Sequence, residues 1–395
     1  MHHLTTSCLF SVVAVALPAQ ATLLVGPGGY PQIRDAIAAA RAGDVVSVQP
    51  GSYAQFVADK ALTIRAQVPG TVFVDFVPAF APPGCPGFLC VEDGTLLRAP
   101  APGAVHVVGL TFLDGEFTQG GFTARHHVRV QGGNASFDQC VFWSKGANAL
   151  EVFGNASWAV VHLQSCTMSG TGYGTCALAV SGGSVTAIDC AFFGSTLPVN
   201  PLAAGASRGI ALNFAHFVGS HLTIAGGTPS TVAAGGAAVG ATTSWLSISD
   251  SVLTATVCPL SYTGTAHLER NQLVGGTGCQ TASPGPTLGI SRQSPMQPGA
   301  NLDLRFDTNP NGLVAVAVSL GLATSFPPEL LQPFWLDPAT AFVFGFTVAD
   351  AQGHAFGTWP LPANPALTDV SLWFQGVGGV TLPLAASALA GGVVR

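Results

Sequence analysis

Charged residues are scarce in this 395-residue sequence. It contains 13 Lys and Arg and 19 Asp and Glu, together 8% of the chain, against about 25% in a typical globular protein. Only two of the basic residues are lysines, Lys60 and Lys145. The net charge is −6, and no basic stripe is available to neutralise phosphates, so the sequence excludes nucleic acid as a partner.

Long helices are excluded as well. The chain contains 49 Gly and 28 Pro, which interrupt helices, and beyond the N-terminus no stretch has the roughly 18 uninterrupted apolar residues that a transmembrane segment needs. However, 48% of the residues are hydrophobic and 24 are Phe, too many for a disordered chain. We therefore predict a β-rich protein without a transmembrane segment, large enough for two domains.

The N-terminus has the pattern of an export signal. An apolar run at residues 8–17 is followed by an A-x-A cleavage pattern at residues 19–21. This predicts a signal peptide over residues 1–21 and a secreted protein, located outside the cell, at its surface or in the periplasm. Of nine cysteines, only Cys8 would leave with the signal, and an oxidising compartment favours disulfides among the rest.

A short pattern recurs along the middle of the chain. It consists of an apolar residue, two mostly polar residues, a mostly small reference residue, any residue and a second apolar residue. It recurs every 20 to 31 residues, with reference positions Leu110, Cys140, Cys166, Cys190, Ser220, Ser251 and Asn271. This period, with Gly-rich connections, is typical of a parallel β-helix, in which each coil buries its apolar face against its neighbours.

The same pattern predicts a bend within each coil. The two apolar residues, such as Phe137 and Phe142, cannot share one face of a single alternating strand, so a bend must separate two short strands. Polar side chains at the bend can stack from coil to coil and bond to neighbouring backbone groups. They are Asp138, Gln139, Gln164, Ser165, Asp189, Ser249, Asp250, Glu269 and Arg270.

Residues 31–42 have the pattern of a short amphipathic helix. Pro31 takes the first position, and Gly43 follows the end. A helix laid across the first coil would cover the open end of the β-helix and its unpaired edge.

The segments YPQIRDAI at residues 30–37 and ARAGDVVSVQPGSY at residues 40–53 resemble the N-terminal cap and first coil of pectin-lyase-like proteins. With the repeats, the resemblance covers residues 24–280 and implies an all-β, right-handed parallel β-helix with an N-terminal capping helix. That superfamily contains lyases, hydrolases and esterases, mostly for acidic sugars, and also surface proteins without established activity. This sequence lacks the Asp-Asp pair and the Gly-His-Gly of the polygalacturonase-like members, so no catalytic residue transfers by motif.

The densest polar cluster follows the first repeat. It comprises Asp114, Glu116, Arg125, His126, His127 and Arg129. Carboxylates and histidines could supply the proton donor and acceptor that cleavage of a sugar chain needs, and arginine could bind a uronate carboxylate. Alternatively, a solvated loop, in which Arg125 pairs with Glu116, leads into a strand. His127 and Arg129 would then share one face of that strand.

Other candidate ligand-binding side chains are scattered. Three histidines precede a repeat by the same one-residue offset: His106, His162 and His267. They should project from one outer surface and not bind a metal. Three aromatic residues near coil connections could stack on a sugar or pack in the core: Trp143, Trp158 and Tyr173. Two asparagines are in glycosylation sequons: Asn134 and Asn155.

Three cysteines hold the same place in successive coils: Cys140, Cys166 and Cys190. Because neighbouring coils lie about 4.8 Å apart, a disulfide along this column is possible, and so are reduced thiols packed side by side. A disulfide within the column would leave one member to pair with Cys176. Sequence proximity suggests two further bridges, Cys85 with Cys90 and Cys258 with Cys279.

The repeat pattern ends before residue 281, and we therefore predict that the β-helix comprises residues 22–280. Residues 281–286 read as a linker and 287–395 as a second domain. Several alternating strands within about 110 residues predict a small antiparallel β-sandwich, which resembles the C-terminal modules of some secreted bacterial proteins. The linker has nothing apolar to bury, so a β-helix ending near Ser283 is predicted to fold alone.

Residues 307–312 match the opening of a calcium-binding loop. However, Val318 stands at the twelfth position, where such a loop needs Glu. We therefore predict a hairpin turn at this place.

The combined pattern predicts a protein that binds an extended polysaccharide along its coil face, without a cofactor or a bound metal. The first alternative is a divergent polysaccharide lyase or glycoside hydrolase that acts on acidic sugars through the cluster at residues 114–129. The second is a non-catalytic structural module of the cell surface. The sequence does not indicate an oligomeric state.

Overall fold

The computed structural model describes residues 20–75, 94–99, 103–113, 126–145, 147–154, 158–171, 175–195, 207–227, 236–276, 288–379 and 382–395. These residues form β-structure with one α-helix, α1 (Ile33–Ala39), and one 3-10 helix (Pro365–Leu367). Within this part of the chain, no helix is long and apolar enough to cross a membrane. Most of the predicted signal peptide, residues 1–19, lies outside the described residues.

The N-terminal part winds through three parallel sheets, here called A, B and C. Sheet A contains β1 (Thr22–Val25), β2 (Val45–Val48), β5 (Leu62–Ala66), β8 (Ala104–Val108), β11 (Asn134–Asp138), β14 (Ala159–Gln164), β17 (Gly183–Ile188), β20 (His216–Ser220) and the second halves of β22 (Val239–Ser249) and β24 (Leu260–Glu269). Sheet B contains β4 (Val57–Ala58), β7 (Thr95–Leu97), β10 (His126–Gln131), β13 (Asn148–Phe153), β16 (Cys176–Ser181), β19 (Arg208–Asn213) and the first halves of β22 and β24. Sheet C contains β3 (Gly51–Ala54), β6 (Val72–Asp75), β9 (Leu110–Leu113), β12 (Val141–Lys145), β15 (Thr167–Thr171), β18 (Ala191–Phe193), β21 (Thr223–Ala225), β23 (Val252–Ala255) and β25 (Gln272–Gly275). The predicted parallel β-helix is confirmed.

The predicted bend is confirmed at the corner between sheets A and C. Six residues there have left-handed backbone, with φ between 51° and 55°: Gln139, Ser165, Asp189, His221, Asp250 and Arg270. In five of these six residues, all except Arg270 of the last coil, the N–H still bonds to the next coil, as in the bond from Gln139 N to Gln164 O at 3.0 Å. The corner therefore turns the chain without breaking the ladder between coils.

One predicted reference position, Ser220, lies two residues before the true one. Leu222, not Ser220, is equivalent to Cys190, because Thr223 N bonds to Cys190 O. Gly219 takes the inward place of this coil, where a Cβ would lie 2.4 Å from Leu222 Cδ1. Because the side chains of Leu222 and Phe217 fill that space, the apolar residue expected at position 219 is absent. The repeat pattern then matches the sequence two residues before its true place.

The capping helix is shorter than predicted. It runs over Ile33–Ala39 and not over 31–42, because Gln32 and Ala40 both have extended backbone. Its buried side chains are Ile33, Ala36 and Ile37, which belong to the same apolar core as the first coils. The predicted cap of the β-helix is therefore confirmed.

The cysteine column consists of free thiols. Cys140, Cys166, Cys176 and Cys190 are buried and unbridged, so a disulfide within the column is wrong and packing of reduced thiols is correct. The Cys166 Sγ–H donates to Phe137 O at 3.4 Å. Burial raises the pKa of Cys140 and Cys166, which makes these thiols unreactive. Three cysteines of the other two predicted bridges lie outside the described residues, and those bridges stay predictions: Cys85, Cys90 and Cys279.

The C-terminal part contains antiparallel sheets, as predicted. One sheet contains β26 (Gly289–Arg292), β27 (Asn301–Asp307) and β32 (His354–Pro360). A second contains β28 (Leu313–Ser319), β31 (Phe342–Val348), β33 (Ser371–Gly379) and β34 (Ala385–Val393), and a small third sheet pairs β29 (Leu322–Ser325) with β30 (Phe334–Leu336). Apolar side chains of the first two sheets share one core, which makes this part a β-sandwich.

The turn at residues 307–312 is not a hairpin. It joins β27 to β28, which belong to different sheets of the sandwich. The turn is tight, with Asn311 at a φ of 60°, and the chain crosses from one layer to the other instead of pairing with itself. A sandwich needs strands in two layers, so the chain must cross between them. It does so again from β31 to β32, which also belong to different sheets.

The sandwich covers the outer face of sheet A. Three outward apolar side chains of that sheet are buried in the sandwich core: Val160, Ile188 and Val218. Trp373, 1% exposed, packs on two histidines of sheet A, with ring centroids 5.7 Å from His106 and 5.1 Å from His162. These two histidines project outwards, as predicted, but they lie beneath the sandwich and not in solvent.

Polar side chains of the corner bind the sandwich more than they bind each other. The Asp138 carboxylate pairs with Arg292 at 3.5 Å and Arg395 at 3.2 Å. Gln164 Oε1 accepts a bond from Gly391 N at 3.2 Å. The predicted coil-to-coil pairing holds for Arg270, which donates to Asp250 at 2.7 and 2.9 Å.

These contacts bear on the prediction that the β-helix folds alone. A chain ending at residue 283 would expose Val160, Ile188 and Val218, and it would remove the partners of Asp138. Separability stays a prediction, and the interface gives a physical reason to expect the opposite.

Candidate functional site

Most of the cluster predicted at residues 114–129 lies outside the described residues. This applies to Asp114, Glu116 and Arg125, and to the side chain of His126, whose backbone begins β10. Their role as catalytic candidates therefore stays a prediction.

The two described members of that cluster point in different directions. His127 is 4% exposed and packs edge-on to Phe112 in the core of the β-helix, where burial lowers its pKa to about 4. Arg129 points outwards, pairs with Glu151 at 3.3 Å and lies over the ring of Phe153. The expectation that they share one face is wrong, because His127 turns inwards where the chain enters β10.

The other residues singled out from the sequence are dispersed. Trp143 is 59% exposed on sheet C, and Trp158 is 43% exposed, with its indole N–H donating to Ser184 Oγ at 2.8 Å. Asn134 is buried and donates to Leu322 O at 3.3 Å, so glycosylation would disrupt the folded protein. Tyr173 and Asn155 lie outside the described residues.

Sheet B has an outer row of small side chains. The residues of this row are register partners in successive coils. The row begins with Arg129, which is the partner of Glu151, and Glu151 is the partner of Ala179. Its next four members, here called the sheet B strip, are Ala179, Ala211, Gly240 and Ser261. Because coils repeat at about 4.8 Å, the strip is a flat floor roughly 14 Å long that runs along the coil axis.

Arg208 lies across this strip. A Cβ at residue 240 would be 2.7 Å from Arg208 Cδ and 2.8 Å from its Nε and Nη1, so the absent side chain of Gly240 makes room for the arginine. Arg208 is exposed, and within the described part of the chain its guanidinium forms no hydrogen bond or ion pair. Arg208 is thus an exposed cation with five N–H donors, held in place over Gly240 and without an ionic partner among the residues described.

Hydroxyl and amide groups flank the strip. The parallel row beside it contains Ser181, Asn213 and Thr242. A depression of about 320 Å³ opens beside Gly240, and its lining includes Arg208, Thr242, Ser261, Tyr262 and Thr263. A planar cation, neutral hydrogen-bonding groups and an aromatic ring around a flat floor can bind a polar ring that carries a carboxylate.

A second polar cluster lies between the β-helix and the sandwich. Single atoms of His221, Asp250 and Asp307 lie within 4.8 Å of one another and could hold a metal ion. However, Arg270 already binds Asp250, and Arg305 binds Asp307 at 2.8 and 3.0 Å. Because these arginines compensate the carboxylates, the cluster acts to fasten the two parts of the chain together.

The pKa values of this cluster agree with an ionic contact. Burial alone would raise the pKa of Asp307, but hydrogen bonds from His221, Arg305 and His354 outweigh burial and hold it well below its usual range. Burial opposes the charge on His221, yet the Asp307 carboxylate at 3.0 Å raises the pKa of that histidine. Asp307 is therefore ionised at neutral pH and favours the charged form of His221.

No protein-family model matches the chain, and no curated protein matches it. Among solved structures, a PL6 family alginate lyase is 15% identical, with a TM-score of 0.33 over 67% of this chain and 39% of that one. The ORF18 protein of Geobacillus virus E2 is 10% identical, with a TM-score of 0.34 over 84% of this chain and 74% of that one. Tailspike gp49 of Acinetobacter baumannii bacteriophage Fri1, a capsular polysaccharide depolymerase, is 10% identical, with a TM-score of 0.30 over 94% and 82%.

These likenesses are distant. Our chain spans 39% of the length of the alginate lyase, and all three TM-scores lie at or below 0.34. They therefore carry no argument about function, which has to be made from the residues of the sheet B strip.

Proposed function

We propose that this protein binds an extended acidic polysaccharide along the sheet B strip. The observation that carries the proposal is the exposed guanidinium of Arg208, which lies across Gly240 in a depression lined by hydroxyl groups and has no ionic partner in the described part of the chain. A guanidinium binds a carboxylate through two parallel N–H bonds, and it does so strongly when no internal partner competes. A uronic acid unit presents such a carboxylate on a polar ring.

The shape of the strip favours a chain over a single sugar. Ala179, Ala211 and Gly240 keep the floor level over successive coils, and Ser181 and Asn213 offer hydrogen-bonding groups at the same repeat. An extended polymer laid along the coil axis would meet equivalent groups at each step. Export through the predicted signal peptide, residues 1–21, is part of this proposal, because such polymers lie outside the cell.

Replacing Arg208 tests the site. We expect Arg208→Ala to weaken binding of a uronic acid hexasaccharide by about 10- to 100-fold, because a hydrogen bond to a charged group contributes about 1.5–3 kcal/mol. Arg41→Ala removes an arginine that is also exposed, just after the end of α1, and should leave binding unchanged. Isothermal titration calorimetry with uronate and neutral hexasaccharides measures both variants.

Two outcomes would reject this function. If the unmodified protein binds no member of a glycan array that includes uronates, it is better described as a structural module of the cell surface. If it binds uronates and Arg208→Ala binds equally well, the site lies elsewhere on the protein.

Cleavage of the bound polymer is a second candidate. The observation that favours it is continuity, because Arg129 and Glu151 stand in the same outer row as the strip. A polymer that continues along this row would meet Arg129 and Glu151, and Arg129 follows closely in sequence the candidates Asp114, Glu116 and Arg125. Incubation with polyuronates should then yield new reducing ends or unsaturated products, and the absence of both would leave binding as the function.

A further inference from the structure

One edge of the sandwich is apolar, and no described strand pairs with it on its outer side. β31 is the outermost strand of its sheet, with β28 as its partner on one side only. Its sequence is FVFGFTV, without a charged residue, and three of its side chains are more than 55% exposed: Val343, Phe346 and Val348. A flat, uncharged edge strand is a template for pairing with another strand, and monomeric proteins usually protect such edges.

The strand at the other edge of the same sheet, β34, is protected from solvent. All nine residues of β34 are buried, and this strand lies against β17 and β20 of the β-helix. In the other sheet of the sandwich, the edge strand β32 lies beside β31, with the Thr347 hydroxyl donating to Phe356 O at 2.9 Å. Phe356 is 61% exposed, so both strands on this side of the sandwich present apolar side chains to solvent.

The local register leaves a regular stretch for pairing. The β28–β31 register shifts between Val316 and Ala317, so Phe344 is an extra residue of β31. Phe344 turns inwards, 5.4 Å from the ring of Trp359 and 5.6 Å from that of Phe374. The stretch from residue 345 to 348 keeps its regular register with β28, and its outer backbone groups face away from that partner.

We propose that this edge is the interface of a two-fold symmetric homodimer, in which β31 pairs antiparallel with β31 of a second copy. The four-stranded sheet of each copy would thereby join into one continuous sheet. An isologous interface needs a surface that complements itself, and a strand without charge places no like charges opposite each other.

The exposed area is sufficient for a second copy. A Phe side chain has an area on the order of 200 Å², and Phe342, Phe346 and Phe356 are each more than half exposed. With Leu313, Val343 and Val348, which are 51–61% exposed, each copy offers roughly 600 Å² of apolar side chain. If the second copy covers most of this surface, the two copies together bury the area of about 1,000 Å² that a specific interface needs.

Sedimentation analysis of the full chain tests this proposal. The unmodified protein should be a dimer at micromolar concentration, and Phe346→Lys should be a monomer with unchanged circular dichroism, because the lysine would place like charges across the two-fold axis. The matched control is Phe326→Lys. Phe326 is 58% exposed, against 65% for Phe346, but it packs on His216 of the β-helix, 5.1 Å away, so this variant should stay dimeric.

Hydrogen exchange adds an independent readout. Within residues 345–348, the backbone amides that point away from β28 should exchange slowly in the dimer and rapidly in Phe346→Lys, whereas those bonded to β28 should be protected in both. The proposal is overturned if the unmodified protein is a monomer at about 100 μM, if Phe346→Lys remains a dimer, or if the protein forms larger open-ended assemblies.

Discussion

Lowering the pH from 7 to 5 is expected to reduce the free energy of unfolding by about 6 kcal/mol. Three buried histidines account for this: His106 and His127, whose pKa values burial lowers to about 4, and His162, whose pKa burial lowers to about 3. In the unfolded chain each histidine has a pKa near 6.5. Unfolding at pH 5 therefore takes up protons, at about 2 kcal/mol for each histidine.

The sign follows from which state binds the proton. A histidine whose pKa is lowered in the folded state is neutral in the native protein. Its contribution to the free energy of unfolding is therefore fully present above pH 6.5. That contribution is lost as the pH falls towards the folded pKa. His221 has the opposite sign, because its pKa is raised, and its contribution is lost only above pH 6.5. Asp307, with its lowered pKa, begins to lose its contribution near pH 4.

Urea unfolding at pH 7, 6 and 5 measures this dependence. His162→Gln removes one of the three groups, and the decrease between pH 7 and 5 should shrink by about 2 kcal/mol. His162 donates to or accepts from Thr186 Oγ1 at 2.8 Å, a contact that glutamine can replace. Equal free energies of unfolding at pH 7 and 5 would show that these histidines are accessible to protons in the native protein.

Trp373→Ala is expected to cost about 3–5 kcal/mol of folding free energy. Its indole ring lies between the sandwich and sheet A, on His106 and His162. Truncation of a buried tryptophan leaves a cavity, and the lost contacts cost about 3–5 kcal/mol. Trp143→Ala is the matched control, since Trp143 is 59% exposed, and it should change stability by less than about 1 kcal/mol. Chemical denaturation at pH 7 compares the two.

This comparison also reports on the interface. If Trp373→Ala unfolds in two steps, the sandwich and the β-helix are separate cooperative units, as the sequence-based prediction of a separable domain requires. If it unfolds in one step at a lower midpoint, the two parts form one unit. A loss as small as that of Trp143→Ala would contradict the tight packing of the indole.

The coil architecture is readable from the sequence because it repeats. Each corner places a polar residue in left-handed backbone between two apolar residues, as Gln139 and Ser165 do, and the resulting pattern is local. It fails at Gly219, where an inward side chain is absent and neighbouring residues fill the space. The helix bounds fail by a few residues because Pro31 and Gln32 precede the helix instead of beginning it.

The sheet B strip is not readable in the same way. The connection from sheet C to sheet B runs from Thr171 to Cys176 in one coil and from Phe193 to Arg208 in the next, so strip residues do not recur at a fixed distance from the repeats. The sequence does not show that Arg208 lies over Gly240, and this contact is what singles out Arg208 as a binding residue. The docking of the sandwich on sheet A is equally hidden, because Val160, Ile188 and Val218 look like ordinary strand residues in the sequence.

The most direct measurement is a crystal structure of the protein with a uronic acid hexasaccharide. The sugar chain should lie parallel to the coil axis over Ala179 and Ala211 and reach Arg208, which lies over Gly240. One carboxylate should be within about 3 Å of the Arg208 guanidinium. A hexasaccharide bound elsewhere, for example against Trp143 on sheet C, with Arg208 in contact with solvent alone, would contradict the proposed binding face.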